Sequence, residues 1–475
     1  MKLTQRILLG LMICAPVLVL WMVNLSPRPK ALSEAWDKVQ LYESHQQGWR
    51  AVPHLRLILE YQPERVELWE RMAANEFAAG NYPQAVEAYR AASEIRMLST
   101  IGLVNLGEAC LQSGDPTCAK SAWLQAIARE DITIETLARQ ADTLRTMGEL
   151  DGALQAAARW REMEPDSTRA AWLTGLLLTP HSPEDALPHL VDASEGEGAE
   201  AAAAGELLEA VSEIGAYSDQ AYRLVILGQR LAVLGEWDVA REALSRAVAV
   251  NPNYAAAWAL LGEVRQHLGE DGWNDLLRAK TLEPESEIVI SALTLYWTRQ
   301  EKYEVAVAYL HRLAAKHPEE SRWQLEIGST LAQAGDLIQA MAAYQHATEI
   351  EPENPETWRA LAIFAATYGF DADTYAIPAI EKAMELAPRD PRVLDAAGWV
   401  YLVEYQFEKA EQFLQLALTE DSDFDQARLH LAQVYIGTNR YEQALPILEE
   451  VINQAEDPSL KSQAMRLLEK YFPGQ

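Results

Sequence analysis

Residues 68–92 read LWERMAANEFAAGNYPQAVEAYRAA, and the spacing of the alanine, glycine and aromatic residues in this stretch recurs along most of the chain. If Val66 is the first position of a 34-residue unit, the other units begin at Leu32, Thr100, Ile134, Thr168, Ala221, Ala255, Glu287, Ser321, Pro355, Pro391 and Asp425. A fixed period of this length is typical of proteins that stack one small structural motif many times. The sequence therefore predicts a repeat protein of about twelve units.

Three positions of the unit carry residues that control how helices end and pack. Position fifteen is glycine in seven units, where a helix must stop and the chain must reverse. Position twenty is alanine in nine units, which allows two helix backbones to approach closely, and position thirty-two is proline in five units, where the second helix ends. In that order, these residues are Gly80, Gly114, Gly148, Gly235, Gly269, Gly335 and Gly369; Ala51, Ala85, Ala119, Ala153, Ala240, Ala306, Ala340, Ala410 and Ala444; and Pro63, Pro165, Pro252, Pro318 and Pro352. Each unit is therefore predicted to be two antiparallel helices, and the pattern leaves no place for strands.

The repeated pattern resembles that of the tetratricopeptide-repeat family, whose signature combines tryptophan, leucine-glycine, tyrosine, alanine and proline. The matching residues are Trp258, Leu261, Gly262 and Gly269 in one unit, and Leu227, Gly228, Leu231, Gly235, Ala240, Leu244, Ala247 and Pro252 in another. The resemblance covers nearly everything after residue 31. It implies an all-α fold, a right-handed superhelical solenoid in which the first helix of each unit lines an inner groove that binds a peptide or helix of a partner protein.

An uncharged run of nineteen residues, 7–25, follows the basic residues Lys2 and Arg6. A helix rising ~1.5 Å per residue would span most of a ~30 Å hydrocarbon core with this length. A cleaved signal peptide has the same basic start and apolar run, but no A-x-A-like cleavage site follows at residues 26–30. We therefore predict one uncleaved transmembrane helix.

The orientation of this helix is less strongly encoded, because basic residues flank both of its ends. A short tail with a basic start is the ordinary arrangement for the export of everything downstream. We therefore predict a single-pass membrane protein with its amino terminus inside and its repeats on the extracytoplasmic side.

The repeats are interrupted once, at residues 191–220, which carry eight acidic residues and no lysine or arginine. Pro180, Pro183 and Pro188 are expected to shorten the second helix of the preceding unit. We predict a loop followed by a helix or degenerate half-repeat, which is either a hinge between two arms or an eroded repeat. The predicted organisation is a tail at 1–6, a transmembrane helix at 7–25, a linker at 26–31, a first repeat array at 32–190, the acidic irregular segment at 191–220, a second array at 221–457, and a capping helix with its tail at 458–475.

The charge and the motif content argue against several classes of function. Forty lysines and arginines against seventy acidic residues give a formal net charge of -30, and such a surface repels phosphate backbones. The sequence contains no GxxxxGK[ST] phosphate loop, no HExxH zinc pair and no GxSxG nucleophile elbow. We therefore expect no nucleic-acid partner, no catalytic residues, no cofactor, no metal and no small-molecule substrate.

The resemblance directs attention to positions two, five, nine, twelve and thirteen of each unit, which face the inner groove in the family. At or beside these positions the chain carries a mixture of arginine, aromatic and aliphatic residues, and the first two types are typical of interface anchors. The candidate partner-binding residues are Arg139, Arg145, Tyr222, Gln229, Arg359, Arg392 and Trp399. The alternative is that these side chains pack against neighbouring helices.

Two cysteines, Cys110 and Cys118, lie on the facing helices of one unit, on either side of the turn at Gly114. A disulfide requires their Cα atoms to lie within ~7 Å of each other. Small buried cysteines also pack without forming a bridge. A disulfide is therefore one alternative for an exported domain, and two buried thiols are the other.

The sequence is compatible with three functions. The first is a membrane-anchored, non-enzymatic scaffold or adaptor that binds peptide or helix segments of partner proteins in a cell-envelope complex. The second is an accessory subunit that positions an envelope transferase or export machine. The third is a chaperone-like binder of exported chains. They differ in the expected partners, because the second predicts one stoichiometric enzyme and the third predicts many clients.

Overall fold

The computed structural model describes residues 30–455 and 457–472, and every regular element in these ranges is an α-helix. The predicted tail at 1–6 and transmembrane helix at 7–25 lie outside the described residues. Within the described ranges, none of the helices combines the length and the apolar character that crossing a bilayer requires.

The chain divides into two compact units, Met1–Arg246 and Ala247–Gln475. The described helices of the amino-terminal unit are α1 (Lys30–Ser44), α2 (Gly48–Tyr61), α3 (Val66–Ala78), α4 (Tyr82–Ile95), α5 (Thr100–Gln112), α6 (Pro116–Ile127), α7 (Ile134–Thr146), α8 (Leu150–Met163), α9 (Thr168–Leu178), α10 (Pro183–Ser194), α11 (Ala199–Ile214) and α12 (Gln220–Val233). Helix α13 (Trp237–Val250) contains the boundary. Consecutive helices of this unit pack as the predicted pairs, for example α3 with α4 and α7 with α8.

The carboxy-terminal unit repeats the same arrangement. Its helices are α14 (Ala255–His267), α15 (Trp273–Leu282), α16 (Glu287–Arg299), α17 (Tyr303–Lys316), α18 (Arg322–Gln333), α19 (Leu337–Ile350), α20 (Pro355–Thr367), α21 (Ala376–Leu386), α22 (Pro391–Val403), α23 (Phe407–Glu420), α24 (Asp425–Gly437), α25 (Tyr441–Gln454) and α26 (Pro458–Tyr471). Each first helix packs on its own second helix, and first helices of successive pairs also touch, as α20 and α22 do. The predicted all-helical repeat fold is confirmed.

The turn inside each pair has the geometry that its glycine predicts. The seven glycines at position fifteen have φ between 69° and 81°. At the first of these turns the backbone N–H of Gly80 donates to the carbonyl of Phe77 at 2.9 Å, and that of Asn81 donates to the carbonyl of Glu76 at 2.9 Å. A positive φ of this size is easily adopted only by glycine, so the predicted helix–helix turns at these positions are confirmed.

Four units form the same turn without a glycine. Their residues at position fifteen are Gln46, Glu301, Tyr405 and Asn439, with φ between 55° and 60°. The backbone N–H of Tyr405 donates to the carbonyl of Leu402 at 3.0 Å, and that of Gln406 donates to the carbonyl of Tyr401 at 2.8 Å. The packing of two antiparallel helices therefore imposes a left-handed residue even where the side chain disfavours it.

The alanines at position twenty lie where the two helices of a pair are closest. All nine of them have no exposed surface. A glycine on a first helix marks the same kind of approach, because a Cβ added to Gly228 would lie 2.6 Å from Cγ of Leu244. Small side chains at these points allow tight packing of the pair, and the predicted close approach is confirmed.

Tryptophans near the start of three first helices tie each pair to the one before it. Their indole N–H groups donate to proline carbonyls that follow the preceding second helix. The pairs are Trp69 with Pro63 at 2.9 Å, Trp258 with Pro252 at 2.9 Å, and Trp358 with Pro352 at 2.7 Å. A hydrogen bond across the junction restricts how one pair can rotate on the next.

The acidic stretch at 191–220 contains the end of α10, a loop and α11. Helix α11 is sixteen residues long and packs on α10 and on α9, burying Leu207 and Ile214 completely. The following helix α12 is tied back to this unit by ion pairs of Arg223 with Glu184 and of Arg230 with Glu206. Helix α12 also packs on α11, so residues 191–220 lie within the amino-terminal unit and the boundary falls in α13.

Helix α26 closes the described part of the carboxy-terminal unit. It packs on α25 and α24, and Ala464 on its inner side has no exposed surface. Leu460, Leu467 and Leu468 contact the same apolar cluster. These side chains cover what would otherwise be an open apolar end of the helix stack.

Candidate partner-binding face

The first helices α18 and α20 line an open cavity of about 320 Å³ in the carboxy-terminal unit. Its lining residues are Ser329, Ala332, Gln333, Tyr344, Arg359, Ala360, Ile363, Phe364, Thr367 and Tyr368. Because side chains three or four residues apart share one side of a helix, each helix contributes a polar and apolar stripe to the same space. Together with Trp399 on the next first helix, α22, these residues are called the α18–α22 face below.

The floor of the cavity is aromatic and rigid. Tyr344 is 9% exposed, and its ring centroid lies 4.8 Å from that of Phe364, which in turn lies 5.0 Å from that of Tyr368. Burial raises the pKa of the Tyr344 hydroxyl to about 12, although a hydrogen bond with Ser329 acts in the opposite direction. The hydroxyl therefore stays protonated at neutral pH, and the rings give the cavity a fixed apolar base.

Arg359, one of the predicted residues, lies at the rim of this cavity. Its Nε donates to Glu356 at 2.8 Å, and a terminal nitrogen donates to the other carboxylate oxygen at 2.5 Å. A bidentate pair of this kind holds the guanidinium plane in one orientation. Arg359 therefore presents a positioned and partly neutralised donor group to the cavity.

Trp399, a second predicted residue, is held in place from two sides. Its indole N–H donates to the hydroxyl of Thr367 at 3.1 Å, which links it to the cavity lining. Its ring stacks on that of His430, with centroids 4.8 Å apart and planes 27° from parallel. The tryptophan is therefore preorganised on the α18–α22 face, which lowers the entropy cost of using it as an anchor.

A buried polar network below Trp399 was not predicted from the sequence. His430 and Asp395 are 9% and 6% exposed, and Nδ1 of His430 lies 2.8 Å from a carboxylate oxygen of Asp395. Nε2 of the same ring lies 2.8 Å from the side-chain nitrogen of Gln426. Both ring nitrogens thus have partners, as a buried imidazole requires. The sequence shows these three polar residues on first helices, but only the stacking of α24 on α22 brings them together.

The third predicted residue in this unit, Arg392, is tied down at the start of α22. Its guanidinium binds the carboxylate of Asp390 at 2.8 Å and 3.2 Å, and the side chain remains mostly exposed. It adds a positive group near the edge of the α18–α22 face.

The other four predicted residues lie in the amino-terminal unit and do not join this face. Arg145 pairs with the carboxylate of Glu236, while Arg139 is exposed on the same helix, α7. Burial raises the pKa of Glu236, and the positive charge of Arg145 opposes that shift. On α12, Tyr222 packs edge-to-face against Tyr217 at 4.9 Å and Gln229 is exposed. The seven predicted residues therefore do not form a single site.

Cys110 and Cys118 lie on α5 and α6, and their Cα atoms are 5.7 Å apart. The structure joins them in a disulfide. The helices α5 and α6 are the two halves of one repeat pair, so the bridge lies across the turn at Gly114. Its formation in the cell stays a prediction.

Among the described residues, one group of side chains has the composition of a metal site. Single ligand atoms of His317, Glu319 and Glu320 lie within 4.8 Å of one another. The guanidinium of Arg322 binds Glu320 and also reaches the neighbouring Glu287 at 3.0 Å. This cation already supplies positive charge to the cluster, and exposed acidic groups of this kind need no metal ion.

Models of the tetratricopeptide-repeat family match residues 401–468, residues 70–133 and 298–355, and residues 223–264. The matched ranges fall in both compact units and follow the helix pairs described above. The helix pairs in these ranges are therefore tetratricopeptide repeats. Proteins built from these repeats typically act as scaffolds that bind other proteins.

Two curated relatives and one solved structure are similar to this chain. The human protein O-mannosyl-transferase TMTC1 is 24% identical over 44% of this chain and 24% of its own length, and the TPR repeat-containing protein YpiA of Bacillus subtilis is 24% identical over 40% of this chain and 44% of its own length. The chain thus spans less than half the length of these relatives. The crystal structure of yeast Tom70 has a TM-score of 0.45 and 16% identity over 93% of this chain and 96% of its own.

Proposed function

We propose that the protein is a non-enzymatic scaffold that binds a peptide or helix segment of a partner protein on the α18–α22 face. The observation that carries this proposal is the cavity between α18 and α20, which combines an aromatic floor with polar groups at its rim. Its volume of about 320 Å³ suits one or two side chains of a bound segment. Trp399 next to it supplies the kind of aromatic anchor that dominates binding energy at protein interfaces.

The charges on the first helices favour recognition by shape and hydrogen bonds. At the groove positions of α14 to α22 the basic residues are Arg299, Arg322, Arg359 and Arg392, and the acidic ones are Glu263, Glu356 and Asp395. This near balance differs from the whole chain, which has seventy acidic residues against forty basic ones. The face therefore tolerates partner segments of either charge, and an apolar side chain seated in the cavity supplies the specificity.

We also propose that the scaffold is membrane-anchored and works in a cell-envelope complex, outside the cytoplasm. The apolar run at 7–25 and the basic residues before it support the anchor. The bridge between Cys110 and Cys118 supports the location, because disulfides persist mainly in oxidising compartments.

Photo-crosslinking in native membranes tests the binding face. Tyr368 at the cavity is 44% exposed, and it is replaced by p-benzoylphenylalanine in the full chain. Tyr405 in the same unit is 79% exposed, lies at a turn away from the cavity, and receives the same replacement as the control. We expect a defined protein adduct from position 368 and none of the same mass from position 405.

The identity and number of adducts decide between the functions. One recurrent non-enzymatic partner supports the scaffold. One stoichiometric enzyme would instead indicate an accessory subunit, and many unrelated adducts would indicate a chaperone. Equal adducts at both positions would show that the α18–α22 face does not select a partner.

A further inference from the structure

Helix α2, in the first described helix pair, exposes an unusual combination of aromatic and basic side chains. Trp49 is 57% exposed and Tyr61 is 55% exposed, although both are large and apolar. The opposite side of the helix is the packed one, because Leu55 and Ile58 have no exposed surface. Exposed apolar residues are common singly, but those that cluster in one patch mark a surface that contacts a partner or a membrane.

The register of α2 places these residues on one side of the helix. Trp49 and Arg56 are seven residues apart, which corresponds to two turns, and Arg50 and Tyr61 are eleven residues apart, which corresponds to three. The two rows are adjacent on the solvent side. Trp49, Arg50, Arg56 and Tyr61 together are called the α2 face.

The α2 face carries two arginines in a strongly acidic chain, and the exposed carboxylate of Glu60 lies one turn after Arg56 on the same side. Arg50 lies 4.9 Å from the ring centroid of Trp49 and donates to the side chain of Gln47 at 3.1 Å. Within the described ranges neither Arg50 nor Arg56 forms an ion pair, and Glu60 is the one acidic residue of α2.

A further basic group lies beside this face on α1. The pKa of His54 on α2 is lowered, first by burial and then by the nearby positive charge of Lys38. The ring of His54 also stacks on Tyr42 of α1 at 5.9 Å. The first helix pair therefore collects positive and aromatic groups on one surface.

The position of this pair along the chain suggests what covers it. The apolar run ends at residue 25, and α1 begins at Lys30. Five residues reach at most ~17 Å when fully extended. Under the proposed anchoring, the first helix pair therefore lies next to the surface of the bilayer.

We propose that the α2 face docks on the headgroup layer of the same membrane and binds anionic lipids. This inference rests on the proposed anchor. Tryptophan and tyrosine are enriched at the membrane–water interface, where an apolar ring and a polar edge are both satisfied. Unpaired arginines next to these aromatic residues bind lipid phosphates. The rest of this acidic chain repels the same phosphates. Docking would hold α1 and α2 along the membrane and set the orientation in which the repeats emerge.

To test this proposal, the full chain with a photoreactive residue on the α2 face is inserted into nanodiscs. Tyr61 is replaced by p-benzoylphenylalanine, which leaves Trp49, Arg50 and Arg56 in place. The nanodiscs contain phosphatidylcholine alone, or phosphatidylcholine and phosphatidylglycerol in equal parts. We expect lipid adducts at position 61 that increase at least about fivefold with phosphatidylglycerol.

Two controls separate docking from general exposure and from net charge. The same photoreactive residue at Tyr405 should give no lipid adduct. The double change Arg50→Glu and Arg56→Glu should remove the increase caused by phosphatidylglycerol. The double change Lys461→Glu and Arg466→Glu on α26 alters the net charge equally and should leave it intact.

The outcomes also distinguish docking from anchoring. The docking proposal would be overturned if the chain stays in the nanodisc but forms no lipid adducts at position 61. It would also be overturned if the adduct yield does not change with phosphatidylglycerol, or does not change when Arg50 and Arg56 are replaced by glutamate. A chain that leaves the nanodisc would refute the anchor. In that case, flotation of the free chain with vesicles of the same two compositions still decides whether the α2 face binds anionic lipid.

Discussion

Single residues in this protein carry backbone strain that a repeat consensus would avoid. Gln46, Glu301, Tyr405 and Asn439 adopt positive φ at the position where other units have glycine. A non-glycine residue in this conformation costs about 1–2 kcal/mol. The strain persists because the two antiparallel helices on either side determine the turn.

We expect Glu301→Gly to stabilise the carboxy-terminal unit by about 0.5–1 kcal/mol, since the relief of strain exceeds the extra entropy of glycine in the unfolded chain. Gly335→Ala, at the same position of the next unit with φ of 81°, should destabilise it by about 1 kcal/mol. Urea unfolding of the two variants and the parent chain measures both changes. A loss of stability in Glu301→Gly would show that its side chain contributes more than the backbone strain costs.

The half-buried ion pair of Glu236 with Arg145 should make the stability of the chain depend on pH. Burial raises the pKa of Glu236 above its ordinary value of 4.5. Between that value and the folded pKa, the native state binds more protons than the unfolded state, so this residue's contribution to stability falls as pH rises. We expect the free energy of unfolding of the parent chain, relative to Glu236→Gln, to decrease from about pH 4.5 upward. A difference that stays constant with pH would contradict the raised pKa.

Pairs of elements are joined by contacts that no single helix reveals. The network of Asp395, His430 and Gln426 joins α22 to α24 beneath Trp399. Removing one member leaves a buried polar partner unsatisfied, which costs about 1–3 kcal/mol. The network therefore supports the position of Trp399 as well as the helix junction.

A double-mutant cycle on Asp395→Ala and His430→Ala tests this coupling. We expect the two changes together to destabilise α22 and α24 by at least about 1 kcal/mol less than the sum of the single changes. Native-state hydrogen exchange of these helices provides the measurement. The exposed pair of Arg389 with Glu420 serves as the control, and its coupling should be at most about 1 kcal/mol. Strict additivity at Asp395 and His430 would exclude a shared network.

The bridge between α5 and α6 is the second contact between elements that can be tested directly. Peptide mapping of the chain under non-reducing conditions, after free thiols are blocked during membrane extraction, should recover Cys110 and Cys118 in one linked species. The linked species should disappear after reduction. Recovery of both residues as blocked free thiols would contradict the bridge and would remove one support for an oxidising compartment.

In the described part of the chain, each compact unit is an array in which most contacts connect neighbouring helices. Stability in such arrays is close to a sum over repeats and their interfaces. Helix α26 covers the last described pair through Leu460, Leu467 and Leu468. Deleting residues 458–475 should therefore accelerate hydrogen exchange in α24 and α25 while leaving α3 to α8 unchanged. Faster exchange throughout the chain would show that the two compact units unfold as one.

The repeat and its helix pairs can be predicted from the amino-acid pattern, because local rules govern both. Glycine at position fifteen, alanine at position twenty and proline at position thirty-two act within one unit, so their spacing predicts where helices end and where they touch. Of the candidate partner-binding residues that the sequence offered, Arg359 lines the cavity and Trp399 donates a hydrogen bond to Thr367 in that lining.

Which of the predicted residues are neighbours depends on how the helices pack in three dimensions. Arg145 lies against Glu236, ninety-one positions further along the chain, and is not part of the α18–α22 face. The network below Trp399 likewise depends on how α24 stacks on α22, and the left-handed turns at residues such as Tyr405 follow from the pairing of whole helices. A repeat pattern specifies each unit, whereas the packing of one unit on another is set by many side chains acting together across the junction.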